Sequence, residues 1–232
     1  MTDRLAAAPV SDAIVRLGIP VRAAPPAVRR FEPGPPVIGP AIPCRHSGSV
    51  DVFLEALERA EKGGTANGGV LVIDNGGRLD EACLGDLAGL EVASARLAGI
   101  VIWGCHRDSV ELRRIGLPLW SLGTTPVGPR RARAAPPNRL ESARVGDVMV
   151  TRDDVVVADD DGVLFVEAAR LEEVLATATT IARVEGAQAD AMRAGRSLRE
   201  QLRFADYVER RRKDPTYDLR RHLARVGGAI ET

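Results

Sequence analysis

The sequence predicts an α/β fold with three layers, β/β/α, and a helical C-terminal extension. Two apolar runs, residues 70–73 and 100–103, flank a helical pattern over residues 86–98, which is typical of a parallel βαβ unit. Beyond residue 143 the pattern changes to short β-rich runs between Asp and Gly clusters, which predicts antiparallel hairpins. A parallel βα half joined to an antiparallel layer favours three layers over a plain doubly wound sheet.

The elements before the βαβ core are predicted from hydrophobic spacing and from glycine and proline. Residues 10–18 predict a short amphipathic helix that ends at Gly18. The proline-rich residues 23–43 are expected to be irregular, with short strands near residues 37–42. A second helix is predicted over residues 51–61, because its apolar residues recur at helical spacing before Gly63.

The elements after the core change character along the chain. A short helix over residues 109–115 and a strand over residues 117–122 complete the parallel half. Residues 124–143, rich in proline and arginine, are predicted to form an extended loop. The antiparallel strands are then predicted at residues 147–150, 155–158 and 163–166.

The chain is predicted to divide into a β/β/α domain, residues 1–195, and a helical extension, residues 196–232. The extension carries few apolar residues among dense charge. Such helices bury too little apolar surface for a core of their own. We therefore expect the extension to lie across the main domain or a neighbouring subunit.

Charge and hydropathy limit the classes of partner. The 232 residues carry 32 acidic and 32 basic side chains, so no broad field attracts nucleic acid or an anionic membrane. No apolar run approaches the roughly 20 residues that span a bilayer, and the first residues lack the layout of a signal peptide. We predict a cytoplasmic protein whose partners are small molecules or copies of itself.

Two residue types argue against particular chemistries. Lys62 and Lys213, the only lysines, both lie in polar segments, whereas a Schiff-base enzyme needs an amine kept neutral in an apolar pocket. The cysteines Cys44, Cys83 and Cys105 form no Cys-X-X-Cys pair, so neither a disulfide framework nor a structural zinc site is predicted.

The candidate site follows the two core strands. Asp86 lies just after the first strand and Arg107-Asp108 just after the second. The carboxyl ends of parallel strands meet at one edge of a sheet, so these three side chains are expected to share a pocket. Asp108 offers a hard oxygen ligand for a divalent cation, and Arg107 a planar fork for a carboxylate. The backbone N–H groups that open the Asp86 helix are donors for an anion.

A plainer interpretation of the same residues is open. Arg107 and Asp108 also fit an ordinary surface ion pair in which Asp108 caps the following helix, because Asp is a preferred N-cap residue. The spacing of 20 residues between Asp86 and Arg107 favours the pocket.

Taken together, these residues resemble the family of the 4-hydroxy-4-methyl-2-oxoglutarate aldolases and the regulator of ribonuclease activity A. The family pattern is an Asp, 20 residues, and then Arg-X or Arg-Asp, which Asp86, Arg107 and Asp108 satisfy. Further agreement comes from Ser11-Asp12-Ala13, Gly39-Pro40-Ala41, Gly146-Asp147 and the segment from Ala158 to Val163. The resemblance covers about residues 8–195 and implies a swivelling β/β/α fold. It also implies trimers or dimers of trimers with active sites at subunit interfaces.

The resemblance also implies roles for individual residues. It assigns a Mg²⁺ or Mn²⁺ ion to Asp108, with Asp86 holding water on that ion. Arg107 would hold the carboxylate of a pyruvate moiety together with N–H groups from Gly85, Asp86, Leu87 and Ala88. A glutamate of the neighbouring subunit lies near the cation in this family, and its match here is Glu185. The tail from Arg196 onward is a departure from the short family members.

The implied activity is cleavage of a 4-hydroxy-2-oxo acid such as 4-hydroxy-4-methyl-2-oxoglutarate, with oxaloacetate decarboxylation as a related reaction. Both reactions generate the enolate of pyruvate, whose charge a divalent cation stabilises as a Lewis acid. Because neither lysine suits a Schiff base, the cation is the expected electron sink. The alternative is a non-catalytic regulator that binds a ribonuclease or another protein.

Overall fold

A computed structural model describes residues 5–130 and 134–226 of the chain. Its helices are α1 (Ala7–Arg16), α2 (Asp51–Lys62), α3 (Asp86–Ser94), α4 (Ser109–Ile115), α5 (Leu171–Arg193), α6 (Leu198–Gln201), α7 (Phe204–Lys213) and α8 (Leu219–Val226). Its strands are β1 (Arg29–Arg30), β2 (Val37–Arg45), β3 (Val70–Leu84), β4 (Gly99–His106), β5 (Leu119–Ser121), β6 (Gly123–Thr124), β7 (Ser142–Val145), β8 (Val148–Thr151), β9 (Asp154–Ala158) and β10 (Val163–Glu167). Within these described ranges no helix is long and apolar enough to cross a membrane.

One mixed sheet organises the fold. Its strand order is β1-β5-β4-β3-β2-β9-β10, with β6 beside β4. Strands β2, β3, β4 and β5 run parallel, and β9 joins the edge of β2 in the antiparallel sense. The remaining strands, β7 and β8, form a separate antiparallel pair. The predicted parallel core is therefore present.

The layers follow from the hydrophobic clusters. On one face of the sheet, α2 and α3 pack Phe53, Leu57 and Val92 against β3 and β4. On the other face, residues of β7 and β8 such as Val145 and Val150 share a core with the sheet. The predicted β/β/α arrangement is confirmed, with one change. Strands β9 and β10 were expected in the separate layer, but they extend the main sheet because β9 pairs with β2 and α1 and α5 cover them.

Strand β3 is much longer than predicted. The sequence predicts a strand over residues 70–73, whereas the structure continues it to Leu84 through three irregularities in its pairing with β4. Gly76 and Gly77, with φ of 67° and 68°, permit the bend that interrupts the apolar run. The returning half then pairs again, with Leu84 opposite His106.

The remaining elements agree with the prediction to within a few residues. The helix after β3 ends at Ser94 rather than at residue 98, because Arg96 takes a left-handed φ of 61°. Strand β7 begins at Ser142, before the end of the predicted loop over residues 124–143, of which residues 131–133 lie outside the described chain. The run of aspartates before Gly162 forms the predicted hairpin turn between β9 and β10.

The C-terminal extension, described to residue 226, differs from the prediction in one respect. It forms a small cluster of its own, in which Leu202, Tyr207, Tyr217 and Leu223 are buried. His222 lies at its centre, with Nε2 2.8 Å from the Leu202 carbonyl oxygen. The prediction that these helices cannot form a core was wrong, because each aromatic ring buries a large area.

The close approach of β2 to the loop before β3 gives a test of the fold. A Cβ on Gly39 would collide with the Gly68 carbonyl oxygen and lie 3.2 Å from its carbon, so a backbone must move. We predict that Gly39→Ala lowers the free energy of unfolding by about 1–3 kcal/mol.

Gly186 on α5 is the matched control, because a Cβ there meets no atom within 4 Å. Gly186→Ala should raise the free energy of unfolding by about 0.4–1 kcal/mol. Urea denaturation measures both changes. Equal stability of the two variants would contradict the packing described for Gly39.

Candidate active site

The ends of β3 and β4 bring the predicted residues together. The Arg107 N–H donates to the Leu84 carbonyl oxygen at 2.9 Å, so the two strand ends lie side by side. Helix α3 begins at Asp86 directly after β3, and α4 begins just after Asp108. The Asp86 N–H donates to Asp108 Oδ2 at 3.3 Å, and Arg107 Nε lies 3.4 Å from the same oxygen.

Asp108 is held in an unusual backbone conformation. Its φ of 58° and ψ of 40° place it in the left-handed region, which non-glycine residues rarely adopt. Although it occupies the N-cap position of α4, its side chain makes no capping hydrogen bond. The Asp108 carboxylate instead faces Asp86 and Arg107, so the plain capping interpretation of Asp108 does not account for its position. Strained backbone of this kind concentrates at functional sites.

Glycine at position 85 makes this approach possible. A Cβ on Gly85 would collide with Asp108 Oδ2 and lie 3.2 Å from Arg107 Nε. A residue with a side chain would therefore displace both charged groups of the site.

These groups line a pocket of about 330 Å³. Its polar side carries the six residues Gly85, Asp86, Leu87, Ala88, Arg107 and Asp108. The pocket also has an apolar wall from α2 and the residue before it, and Glu91 of α3 lines it as well. The wall residues are Val50, Phe53, Leu54 and Leu57.

The apolar wall was not predicted from the sequence, and it is recognised by its exposure in the structure. Val50 and Leu54 are about half exposed, at 51% and 49%, so they lie off the buried face of α2. Leu87 on α3 is 79% exposed at the same pocket. Large apolar side chains left exposed around charged groups are typical of binding surfaces.

The N–H groups at the start of α3 are partly occupied. The Asp86 N–H donates to Asp108, and the Leu87 N–H donates to Asp86 Oδ1 at 2.7 Å. Two of the donors predicted for a substrate carboxylate thus already hold the two aspartates in place.

Glu185 is not part of this pocket within one chain. It lies on α5, which packs on α1 against β9 and β10. The structure therefore brings together Asp86, Arg107 and Asp108 but leaves Glu185 apart from them.

The carboxylates of the site determine whether a divalent cation fits it. Within residues 5–130 and 134–226, no group of three or more His, Cys, Asp or Glu side chains is arranged to hold a metal. Asp108 and Asp86 nevertheless line the same pocket and offer hard carboxylate oxygens there. Mg²⁺ is commonly bound through one or two carboxylates, with water and substrate completing its shell, so this donor set fits it.

The lysines and cysteines take no part in the site. Lys62 and Lys213 are exposed and paired with Glu58 and Glu209. All three cysteines are buried free thiols. Burial raises the pKa of the Cys44 and Cys83 thiols, which disfavours the thiolate needed for metal binding or nucleophilic attack.

A larger polar cavity, of about 550 Å³, lies on the other side of the loop that follows β2. Its charged groups are largely paired, because Arg45 contacts Asp74 and Arg78 contacts Asp80 and Glu81. His46 lines it with Nδ1 2.9 Å from Asn75 Oδ1. Of the arginines that line it in the described part of the chain, Arg45 and Arg78 are thus paired with carboxylates.

Comparison with known proteins places the chain in a family. The fold and site define a mixed α/β protein with a carboxylate and guanidinium pocket at its strand ends. A family model described as "RraA-like: Aldolase/RraA" matches residues 7–165. The chain belongs to this RraA-like family.

Individual relatives agree with this assignment. A "Putative 4-hydroxy-4-methyl-2-oxoglutarate aldolase" of Albidiferax ferrireducens is 33% identical over 62% of this chain and 83% of that protein. The crystal structure of Streptomyces coelicolor RraAS2, described as an unusual member of the RNase ES inhibitor RraA protein family, is 29% identical. It has a TM-score of 0.67 over 80% of this chain and 91% of that one.

A crystal structure of an uncharacterized protein from Pseudomonas syringae has the same fold. It is 23% identical, with a TM-score of 0.70 over 84% of this chain and 92% of that one.

The burial of His46 beside the larger cavity predicts a pH dependence of stability. Burial lowers the pKa of His46 below its ordinary value of 6.5, partly offset by its hydrogen bond with Asn75. Below about pH 6.5 the unfolded chain therefore takes up a proton that the folded chain does not. His46 stabilises the fold fully above that pH, and this contribution is lost as the pH falls towards the folded pKa.

We predict that His46→Gln flattens the loss of stability between pH 7 and pH 5. The slope of the unfolding free energy against pH should differ from that of the wild type by up to about 1.4 kcal/mol per pH unit. Urea denaturation at pH 8, where His46 is neutral in both states, measures the packing cost of the substitution separately. Parallel curves of unfolding free energy against pH for the two proteins would contradict a lowered pKa of His46.

Proposed function

We propose that the protein is a divalent-cation-dependent carbon–carbon lyase that cleaves a pyruvate-bearing 4-hydroxy-2-oxo acid, such as 4-hydroxy-4-methyl-2-oxoglutarate. The observation that carries the proposal is the fixed pairing of Asp108 with Arg107 and the Asp86 N–H in one pocket. Oxaloacetate decarboxylation follows from the same chemistry, because it also produces the enolate of pyruvate. The name of the Albidiferax ferrireducens relative supports this reaction class.

Each side chain of the pocket has a role in this proposal. Arg107 binds the substrate carboxylate through two parallel N–H bonds. Asp108, supported by Asp86, would hold Mg²⁺ or Mn²⁺, which supplies Lewis acidity towards the developing enolate when bound. Leu87 N–H occupies Asp86 Oδ1, so Asp86 Oδ2 is the atom that exchanges a proton with the substrate through water.

The apolar wall also contributes to the proposed reaction. Phe53 and Leu57, which are buried, exclude water from one side of the pocket. A drier pocket strengthens the interaction of Arg107 with an anion. The pocket volume of about 330 Å³ is at the small end of ligand sites, which suits a small acid.

The proposal predicts that Asp108→Ala abolishes cation-dependent pyruvate release and leaves the fold intact. The Asp108 side chain is 38% exposed, so its removal takes little from the core. The measurement is pyruvate release from oxaloacetate and from 4-hydroxy-4-methyl-2-oxoglutarate, with Mg²⁺ and with EDTA. Asp190→Ala is the control, because it removes an exposed carboxylate from α5.

Two outcomes would contradict the proposal. The first is near-normal turnover by Asp108→Ala. The second is absence of turnover by the wild-type protein with either substrate and either cation. The second outcome would favour the regulator alternative, whose support is the description of Streptomyces coelicolor RraAS2 as a member of an RNase ES inhibitor family.

We further propose that the site is shared between subunits, with Glu185 supplied by the neighbouring chain of a trimer. Glu185 lies outside the pocket of its own chain, on a long helix whose second half has few buried residues. A heterologous contact that closes into a ring lets each such helix reach the next pocket. Whether trimers pair into hexamers does not change this arrangement.

Subunit mixing tests the shared site. When inactive Asp108→Ala and Glu185→Ala chains exchange in equal amounts, about one quarter of the sites pair an intact Asp108 with an intact Glu185. We expect about one quarter of the wild-type activity. Asp108→Ala mixed with Arg107→Ala is the control, because both changes fall on the same side of the interface and no site regains both residues. No recovery in the first mixture, despite proven exchange, would reject the model.

A further inference from the structure

Residues 125–130, here called the strap, cross the candidate site on the side of Arg107. The strap starts where the Thr125 N–H donates to the His106 carbonyl oxygen at 3.1 Å. The Ala82 N–H of β3 then donates to the Val127 carbonyl oxygen at 2.7 Å. Between this anchor and Arg130, Gly128 lies against the Arg107 guanidinium. A Cβ on Gly128 would collide with Arg107 Nη1 and lie 3.1 Å from its Cζ.

The far end of the strap is held by a buried carboxylate. The Arg130 N–H donates to Glu81 Oε2 at 3.2 Å, and Arg130 Nε lies 3.7 Å from the same oxygen. Glu81 is only 1% exposed and is also paired with Arg78 Nη1 at 2.7 Å. A carboxylate is costly to bury, so one retained at this position needs these partners.

We propose that Glu81 is a positioning residue for Arg107, acting through the strap. By fixing Arg130, Glu81 holds Gly128 against the guanidinium and limits the orientations that Arg107 can take. This inference rests on the proposed function, in which Arg107 binds the substrate carboxylate. A bidentate contact depends on the plane of the guanidinium, so its restraint raises affinity for the anion.

The neighbouring Asp80 provides a matched control. Asp80 is exposed and contacts the same two arginines, with Arg130 Nη2 2.8 Å from Asp80 Oδ2. It contacts only side chains of the arginines, whereas Glu81 accepts the backbone N–H of the strap. Asp80→Asn therefore weakens the ion-pair network and leaves the anchor in place.

The experiment measures pyruvate binding by calorimetry in the presence of Mg²⁺, together with steady-state kinetics. Glu81→Leu should weaken pyruvate binding about 10-fold, because a misplaced binding group loses much of its effect. Glu81→Gln keeps an acceptor for the Arg130 N–H and should bind within about threefold of wild type. Asp80→Asn should bind within about twofold. In the kinetics, the loss in Glu81→Leu should fall mainly on KM, since Arg107 binds substrate and transition state alike.

Hydrogen exchange separates positioning from a merely structural role. The amides of the strap should exchange faster in Glu81→Leu than in Asp80→Asn, and those of β4 at the same rate in both. If Glu81→Leu fails to fold, Gly128→Ala carries the test. Its Cβ meets only the end of a flexible side chain of Arg107, so the melting temperature should stay unchanged while pyruvate binding weakens about 10-fold.

Arg107→Ala serves as the reference that separates the two hypotheses. If Arg107→Ala binds pyruvate as wild type does, the proposed role of Arg107 fails and the positioning role fails with it. If Arg107→Ala loses binding while either Glu81→Leu or Gly128→Ala retains it, the positioning role alone is overturned. Loss of binding in all three, with Asp80→Asn unaffected, supports the role of Glu81.

Discussion

The pairing of β3 with β4 is the constraint on which the candidate site depends. Charged residues follow each strand where the chain passes into a helix, so the register of the two strands sets the distance between those charges. The hydrogen bond from the Arg107 N–H to the Leu84 carbonyl oxygen fixes that register at its last step. A slip of one residue would turn the side chains to the opposite face and separate Asp86 from Asp108.

The irregular half of β3 also supports the Arg107 guanidinium. After Asp74 the strand leaves the regular ladder and pairs with β4 again at Arg78, Ala82 and Leu84. In this half Glu81 and Ala82 anchor the strap that crosses Arg107. One strand therefore supplies both the start of the Asp86 helix and the support for the guanidinium. The bend also requires room against β4, and Gly104 supplies it, since a Cβ there would lie 2.8 Å from the Cβ of Asn75.

Much of this arrangement could be predicted from the sequence, because it follows from local patterns. The parallel core, α2, α4 and the meeting of Asp86 with Arg107 and Asp108 depend on apolar periodicity and on the rule that strand ends converge. The extent of β3 and the strap depend on contacts between distant segments, which no local pattern records. The small core of the extension was missed because aromatic area, rather than the number of apolar residues, decides its burial.

The difference between local patterns and contacts of distant segments also explains why the roles of the neighbouring acids Asp80 and Glu81 could not be separated from the sequence. Adjacent residues of a strand point to opposite faces, so one carboxylate is exposed and the other is 1% exposed beneath the strap. An exposed ion pair contributes little, whereas a buried carboxylate that accepts a backbone N–H fixes the chain that supplies it. Burial therefore makes Glu81, and not Asp80, the residue through which the sheet can restrain Arg107.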